Sequence, residues 1–189
     1  MADKKITALT SIGAATARAD LLHVIDDVAG TPTNKKVTIG EYANALMAPV
    51  TLTDQASISV TEATHAGRLI IVPDVGQTTT ITLPTPIAGM SMHFVGPLSA
   101  ADADETEDTN NVVIAAGTGN SIYFKGRVTF LDIDATASDV SIVGSDNNSN
   151  ENLTIVNAGH YDVTFVGISA TIWMVSGFVT SDTVPTFTD

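Results

Sequence analysis

Between residues 67 and 94 the chain breaks into short apolar segments separated by turn residues. Leu69, Ile70, Ile71 and Val72 form a continuous apolar run, and residues 80–83 alternate Thr with Ile or Leu. Met90, Met92 and Phe94 fall on one face of a strand, with Ser91 and His93 on the other. Pro73, Gly76, Ala88 and Gly89 supply turns, while Pro84 and Pro86 cannot donate to a ladder. This stretch has no room for a helix. The same grain continues downstream, where residues 112–114, 121–124, 127–133, 140–143, 153–156, 161–166 and 172–175 each read as a strand. Gly117, Gly119, Gly126, Gly144, Gly159 and Gly167 lie between them, as turn or bulge positions would. Roughly ten strands suffice for two packed sheets or a closed barrel. The expected fold is therefore all-β, a compact β-sandwich or barrel of jelly-roll-like form, with Leu69, Ile71, Ile81, Leu83, Phe94, Phe165 and Trp173 in its core.

The first fifty residues pattern differently. Residues 20–26 read as a strand, residues 30–34 as a Gly/Pro turn and residues 35–39 as a second strand; a short helix opens at Gly40 and Pro49 stops it. A lone hairpin with one short helix cannot bury enough apolar surface to stand by itself. Ile58 and Val60 alternate with Ser57, Ser59 and Thr61 as a half-buried edge strand would. The predicted division is an N-terminal arm at 1–50, a β domain at 51–179 and a polar C-terminal tail at 180–189.

Composition supports this picture. Only 5% of residues are aromatic, whereas β-branched Thr, Val and Ile are plentiful, which favours short strands over helices. The absence of cysteine rules out disulfides and thiolate metal sites. No apolar run approaches the roughly 20 residues that span a bilayer, and the N-terminus lacks an apolar signal core, so the expectation is a soluble chain made in the cytoplasm. Charge adds an asymmetry. Residues 1–50 balance five bases with five acids, whereas residues 51–189 hold 16 acids against Arg68, Lys125 and Arg127, which places the whole net charge of -13 there. Such a surface repels nucleic acid.

Candidate chemistry is sparse. His23, His65, His93 and His160 never occur at close metal-binding spacing, and no Walker loop, nucleophile elbow or dinucleotide fingerprint is present. Asp102, Asp104, Glu105, Glu107 and Asp108 could attract a hard cation, but the run reads more simply as a solvated loop, with calcium left open. Residues 146–151 imitate the start of a calcium loop, yet Glu151 stands where glycine is required and Asn157 where glutamate is. Asp132 and Asp134 share a strand face, but without aromatic residues around them they read as a solvent-facing pair rather than an acid and base. No enzyme activity, cofactor or metal is expected.

One resemblance gives these patterns a context. Residues 4–10, the strand ending Leu21-Leu22-His23-Val24, the Gly/Pro turn, Lys35-Lys36-Val37-Thr38-Ile39 and the short helix together resemble the N-terminal segment of tailed-bacteriophage virion proteins. The Gly-led apolar strand, the Leu-Pro-Thr-Pro ending and the closing strand around Trp173 look like the small β domains of phage decoration and fibre proteins. The resemblance implies a capsid decoration (cement) protein on the exterior of the virion, a homotrimer whose partners are its own copies and the major capsid protein or another virion protein, with neither nucleic acid nor membrane. The arm residues Lys4, Lys5, Ile6, Leu9, Leu21, Leu22 and Val24 would then make the contact. A head- or tail-fibre component is the alternative within the same resemblance. A third possibility, of another class, is a carbohydrate-binding β module that would need Trp173, Tyr123 and Tyr161 exposed as a stacking platform.

Overall fold

A computed structural model describes residues 17, 20–26, 30, 33–96, 110–119, 121–132, 140–181 and 183–189, with backbone alone at 23–26, 33 and 34. The chain divides into two compact units, Met1–Met47 and Ala48–Asp189.

In the first unit, strand β1 (Leu21–Asp26) pairs antiparallel with β2 (Thr33–Thr38), Leu21 opposite Thr38 and Asp26 opposite Thr33. Helix α1 (Ile39–Met47) follows at once. A capping box starts it: the Glu41 amide donates to the Thr38 hydroxyl oxygen at 3.0 Å, and the Thr38 amide donates back to the Glu41 carboxylate at 2.9 Å. The Ile39 amide also donates to the Asp20 carbonyl at 2.8 Å, tying the helix start to the beginning of β1. The expected hairpin and helix are both present.

Among the described residues, the second unit is all-β apart from one short helix. In chain order it comprises β3 (Val50–Thr51), β4 (Ser57–Ser59), α2 (Glu62–His65), β5 (Leu69–Ile71), β6 (Thr79–Thr82), β7 (Ser91–Gly96) and β8 (Val112–Ala115). Then come β9 (Tyr123–Asp132), β10 (Val140–Gly144), β11 (Asn152–Ile155), β12 (Tyr161–Ser169), β13 (Ile172–Ser181) and β14 (Thr186–Thr188). Two sheets result, one of order β10-β9-β13-β12-β7-β5-β3 and one of order β14-β11-β8-β6-β4. They pack together over a shared core that draws Ile70, Phe94, Phe165 and Trp173 from the first and Ile81, Ile114 and Leu153 from the second.

The first half of this unit winds as a coil. From β3 to β8 the chain alternates between the two sheets, and each strand lies parallel to the one a full turn earlier: β3 beside β5 beside β7, and β4 beside β6 beside β8. Parallel neighbours need a long crossover. Here the crossover is the intervening strand of the other sheet. Like positions therefore stack, Val50 on Ile70 on Phe94 in one sheet and Ile58 on Ile81 on Ile114 in the other. The second half closes the coil with antiparallel strands, β12 on β7 and β11 on β8, although β13 and β9 pair parallel. Jelly rolls are built from antiparallel pairs. The likeness to one therefore rests on the two-layer form alone.

Three sequence expectations need correction. Leu69 and Ile71 are half-buried, while Ile70 and Val72 are the core residues of this segment. The uninterrupted apolar run gave no phase, and the pairing of Ile70 with buried Phe94 sets it. Ile81, Leu83, Phe94, Phe165 and Trp173 are buried as expected. Gly126 does not separate two strands; it lies inside β9 at φ +116, where any Cβ would strike the Val175 carbonyl oxygen. Residues 180–189 are not a free tail, because β13 runs to Ser181 and β14 pairs with β11, packing Phe187 against the core.

Candidate functional site

The sequence points first to the N-terminal unit. Lys4, Lys5, Ile6 and Leu9 lie outside the described residues, and Val24 is placed by its backbone alone. Leu21 is 58% exposed and Leu22, opposite Val37, is half-buried. Sequence reasoning placed the helix but left its exposed apolar side chains out of the arm residues. Tyr42 and Leu46, one turn apart, share a face of α1 and are both about half exposed, while Met47 in its last turn is 71% exposed. Gly40 is the buried residue of that helix. Its spacing of apolar residues at 42 and 46 was the readable signal.

The Glu41 carboxyl titrates below its ordinary range, chiefly because the Thr38 amide and then the Thr38 hydroxyl donate to it. The capping box is therefore charged and intact at neutral pH. Nine residues make a helix of roughly 14 Å, shorter than helices that hold by themselves in water. Capping and the hairpin fix where it starts, and Tyr42, Leu46 and Met47 stand exposed on it.

On the β unit, an open groove of about 260 Å³ is lined by Ser121, Tyr123, Asn148, Ser149, Glu151 and Asp189. Beside it, the Asp146 carboxylate folds residues 146–150 into a tight turn, accepting from the amides of Asn148 at 2.8 Å and Ser149 at 2.9 Å and from the Ser149 hydroxyl at 2.9 Å. These donors, the Ser149 amide foremost, hold its pKa at about 2. The same Ser149 hydroxyl lies 2.8 Å from the Asp189 carboxylate, so its one proton is shared between the two acids, and the Asn150 side-chain amide donates to Asp189 at 3.1 Å. These carboxylates organise backbone and side chains rather than converging on an ion. Among the described residues no group of three or more His, Asp and Glu could hold a metal.

The proposed sugar-stacking platform is not assembled. Trp173 is fully buried, its indole N–H donating to the Ala116 carbonyl at 3.0 Å, and Tyr161 is buried too. Tyr123 alone borders open space, and the Lys125 ammonium stands 5.8 Å over its ring. Of the histidines, His93 on β7 meets Asp162 on β12 at 2.8 Å, and His160 tilts against Phe178 with ring centroids 5.3 Å apart. His65 accepts the Thr61 amide at Nδ1, and burial pushes its pKa below the ordinary value, so it stays neutral at pH 7. His23 lies on β1. Asp132 ends β9, opposite buried Ser181, while Asp134 and the acidic residues 102–108 lie outside the described residues.

No helix among the described residues is long and apolar enough to cross a membrane. No protein-family profile matches the chain, and no curated protein is significantly similar to it.

Proposed function

We propose that this chain is a structural component of a tailed-bacteriophage particle: a decoration protein that binds the outer capsid as a homotrimer, gripping it through the N-terminal unit. The observation that carries this reading is the contrast between the two units. The β unit has a continuous core spanning two sheets, whereas the described part of the N-terminal unit, a hairpin and a helix, leaves Leu21, Tyr42, Leu46 and Met47 exposed. Apolar side chains displayed on a piece too small to be stable by itself are a surface kept for a partner.

Each large side chain covered by the coat protein contributes about 1.5–3 kcal/mol. Three such arms on one trimer act at high effective concentration, so modest single contacts become durable. The acidic β units would face outward and keep particles from adhering to one another. The reading involves no catalytic step and no cofactor.

The test is addition of purified protein to expanded, undecorated heads, followed by co-sedimentation and a heat-release assay. The full chain is expected to bind and to raise the temperature at which heads open, and residues 48–189 are expected to stay in the supernatant. Equal binding by both forms would overturn the anchoring role of the N-terminal unit. A full chain that neither binds nor protects any such head would sink the decoration reading.

A further inference from the structure

The groove on the β unit is lined from backbone that is already tied down. Tyr123 opens β9, and its amide donates to the Thr171 carbonyl at 3.0 Å. Glu151 is held on both sides, its amide donating to the Thr188 carbonyl at 2.8 Å and its carbonyl accepting the Ala116 amide at 2.7 Å. Asn148 and Ser149 belong to the turn that Asp146 folds, and Asp189, just beyond β14, meets that turn through Ser149 and Asn150. A site assembled on fixed backbone has little left to order when a ligand arrives.

Its polar groups divide into two sets. The Asp146 and Asp189 carboxylates are engaged by donors of the turn, whereas the side-chain polar groups of Ser121, Asn148 and Glu151 and the Tyr123 hydroxyl have no hydrogen-bond partner among the described residues. The open set thus offers two hydroxyls, an amide and one carboxylate around an aromatic ring. This lining selects by charge and by hydrogen bonding. An anion would face Glu151 and Asp189 with no base among the lining residues. A cation would satisfy Glu151 but cannot accept from Asn148 or Ser121, and an ammonium of the chain's own, that of Lys125, already stands over the Tyr123 ring. A neutral ring bearing several hydroxyls meets the whole set, because each hydroxyl both donates and accepts and the C–H face of the ring can lie against Tyr123.

We propose that this groove binds a single neutral sugar residue, with Glu151 accepting from its hydroxyls, Asn148 and Ser121 donating to them, and the Tyr123 ring against its C–H face. At about 260 Å³ the groove is smaller than the roughly 300–1,000 Å³ pockets that take drug-sized ligands, so it receives one ring and leaves the rest of a glycan in solvent. The arrangement differs from a platform of Trp173, Tyr161 and Tyr123, which fails because the first two are buried. Here the polar groups set the specificity and Tyr123 supplies the one apolar contact. The inference concerns the β unit alone, so it stands or falls separately from the role of the N-terminal unit and from attachment to a virus particle.

Saturation-transfer NMR on the full chain tests it, with the methyl glycosides of glucose, galactose, mannose and N-acetylglucosamine as probes. At least one is expected to bind in the millimolar range, as an open groove with few contacts allows. For that probe Glu151→Gln should weaken binding about tenfold, because it removes a charged acceptor. Tyr123→Leu should weaken it too, whereas Tyr123→Phe, which keeps the ring, should retain most of it. Glu62→Gln, which removes the same charge on α2 outside the groove, should bind as wild type does. Asn148→Ala, in the exposed turn, serves if Glu151→Gln fails to fold, and it should also weaken binding. Absence of binding by all of these glycosides at tens of millimolar overturns the proposal, as does binding that survives Glu151→Gln and Asn148→Ala, or whichever of them folds. So does a groove that takes sialyllactose or spermidine in preference to every neutral glycoside, because net charge would then govern it.

Discussion

Tyr161 shows how a single buried group can carry an avoidable cost. Its ring is packed at the start of β12, and Gly96 makes room for it, since a Cβ there would run into the ring. The hydroxyl is buried with no hydrogen-bond partner among the described residues, and burial raises its pKa far above the ordinary phenol value, so it stays protonated. An unsatisfied buried hydroxyl costs about 1–3 kcal/mol. Tyr161→Phe keeps the ring and removes that cost, so chemical denaturation should show unchanged stability or a gain of up to about 1 kcal/mol. A clear loss would mean that the hydroxyl has a partner in solution. Trp173 is the opposite case, equally buried but satisfied by the Ala116 carbonyl, which joins β13 to the segment after β8. Both were legible in part. A lone Trp between Ile and Met reads as core, whereas the depth of Tyr161 depends on a glycine on a partner strand, which no local pattern reveals.

Elements were legible where alternation was present and illegible where identity of partner mattered. β7 reads directly from Met90, Met92 and Phe94 against Ser91 and His93, and its burial alternates accordingly. β9 did not, because Gly126 looks like a turn until its carbonyl neighbour on β13 is known. The turn after β10 is a third case, in which the residues were noticed for a calcium loop and instead form a carboxylate-capped turn. Its acid behaviour follows from the sign of the shift. Asp146 has a folded pKa of about 2 against an ordinary 3.8, so its contribution to stability is complete above 3.8 and is lost as pH falls toward 2. In wild type the urea midpoint should therefore drop more steeply across that window than in Asp146→Ala, which has no proton to take up there. Parallel pH profiles for the two proteins would remove Asp146 from the acid response.

At the scale of the molecule, strands and their spacing give the all-β class but not the winding. Parallel neighbours in the coil are separated by a strand of the other sheet, so residues that stack, such as Ile58, Ile81 and Ile114, are far apart in sequence and share no motif. The break after Met47 was easier to see, because Pro49 and the change in charge mark it. That break has a thermodynamic consequence. Among the described residues, the members of the core cluster, from Leu52 to Val179, belong to the β unit. The chain's single tryptophan, Trp173, sits within that cluster, so its fluorescence reports the β unit alone. Residues 48–189 should therefore unfold in urea with a fluorescence midpoint matching that of the full chain to within about 0.5 kcal/mol, the usual range for changes away from a core. Acrylamide should quench neither native form strongly, because the indole is fully buried. The helical circular dichroism of α1 should be lost with the N-terminal unit. A truncated protein destabilised by several kcal/mol would show instead that the first 47 residues help to hold the β unit together, and the arm would then be part of the platform rather than something it carries.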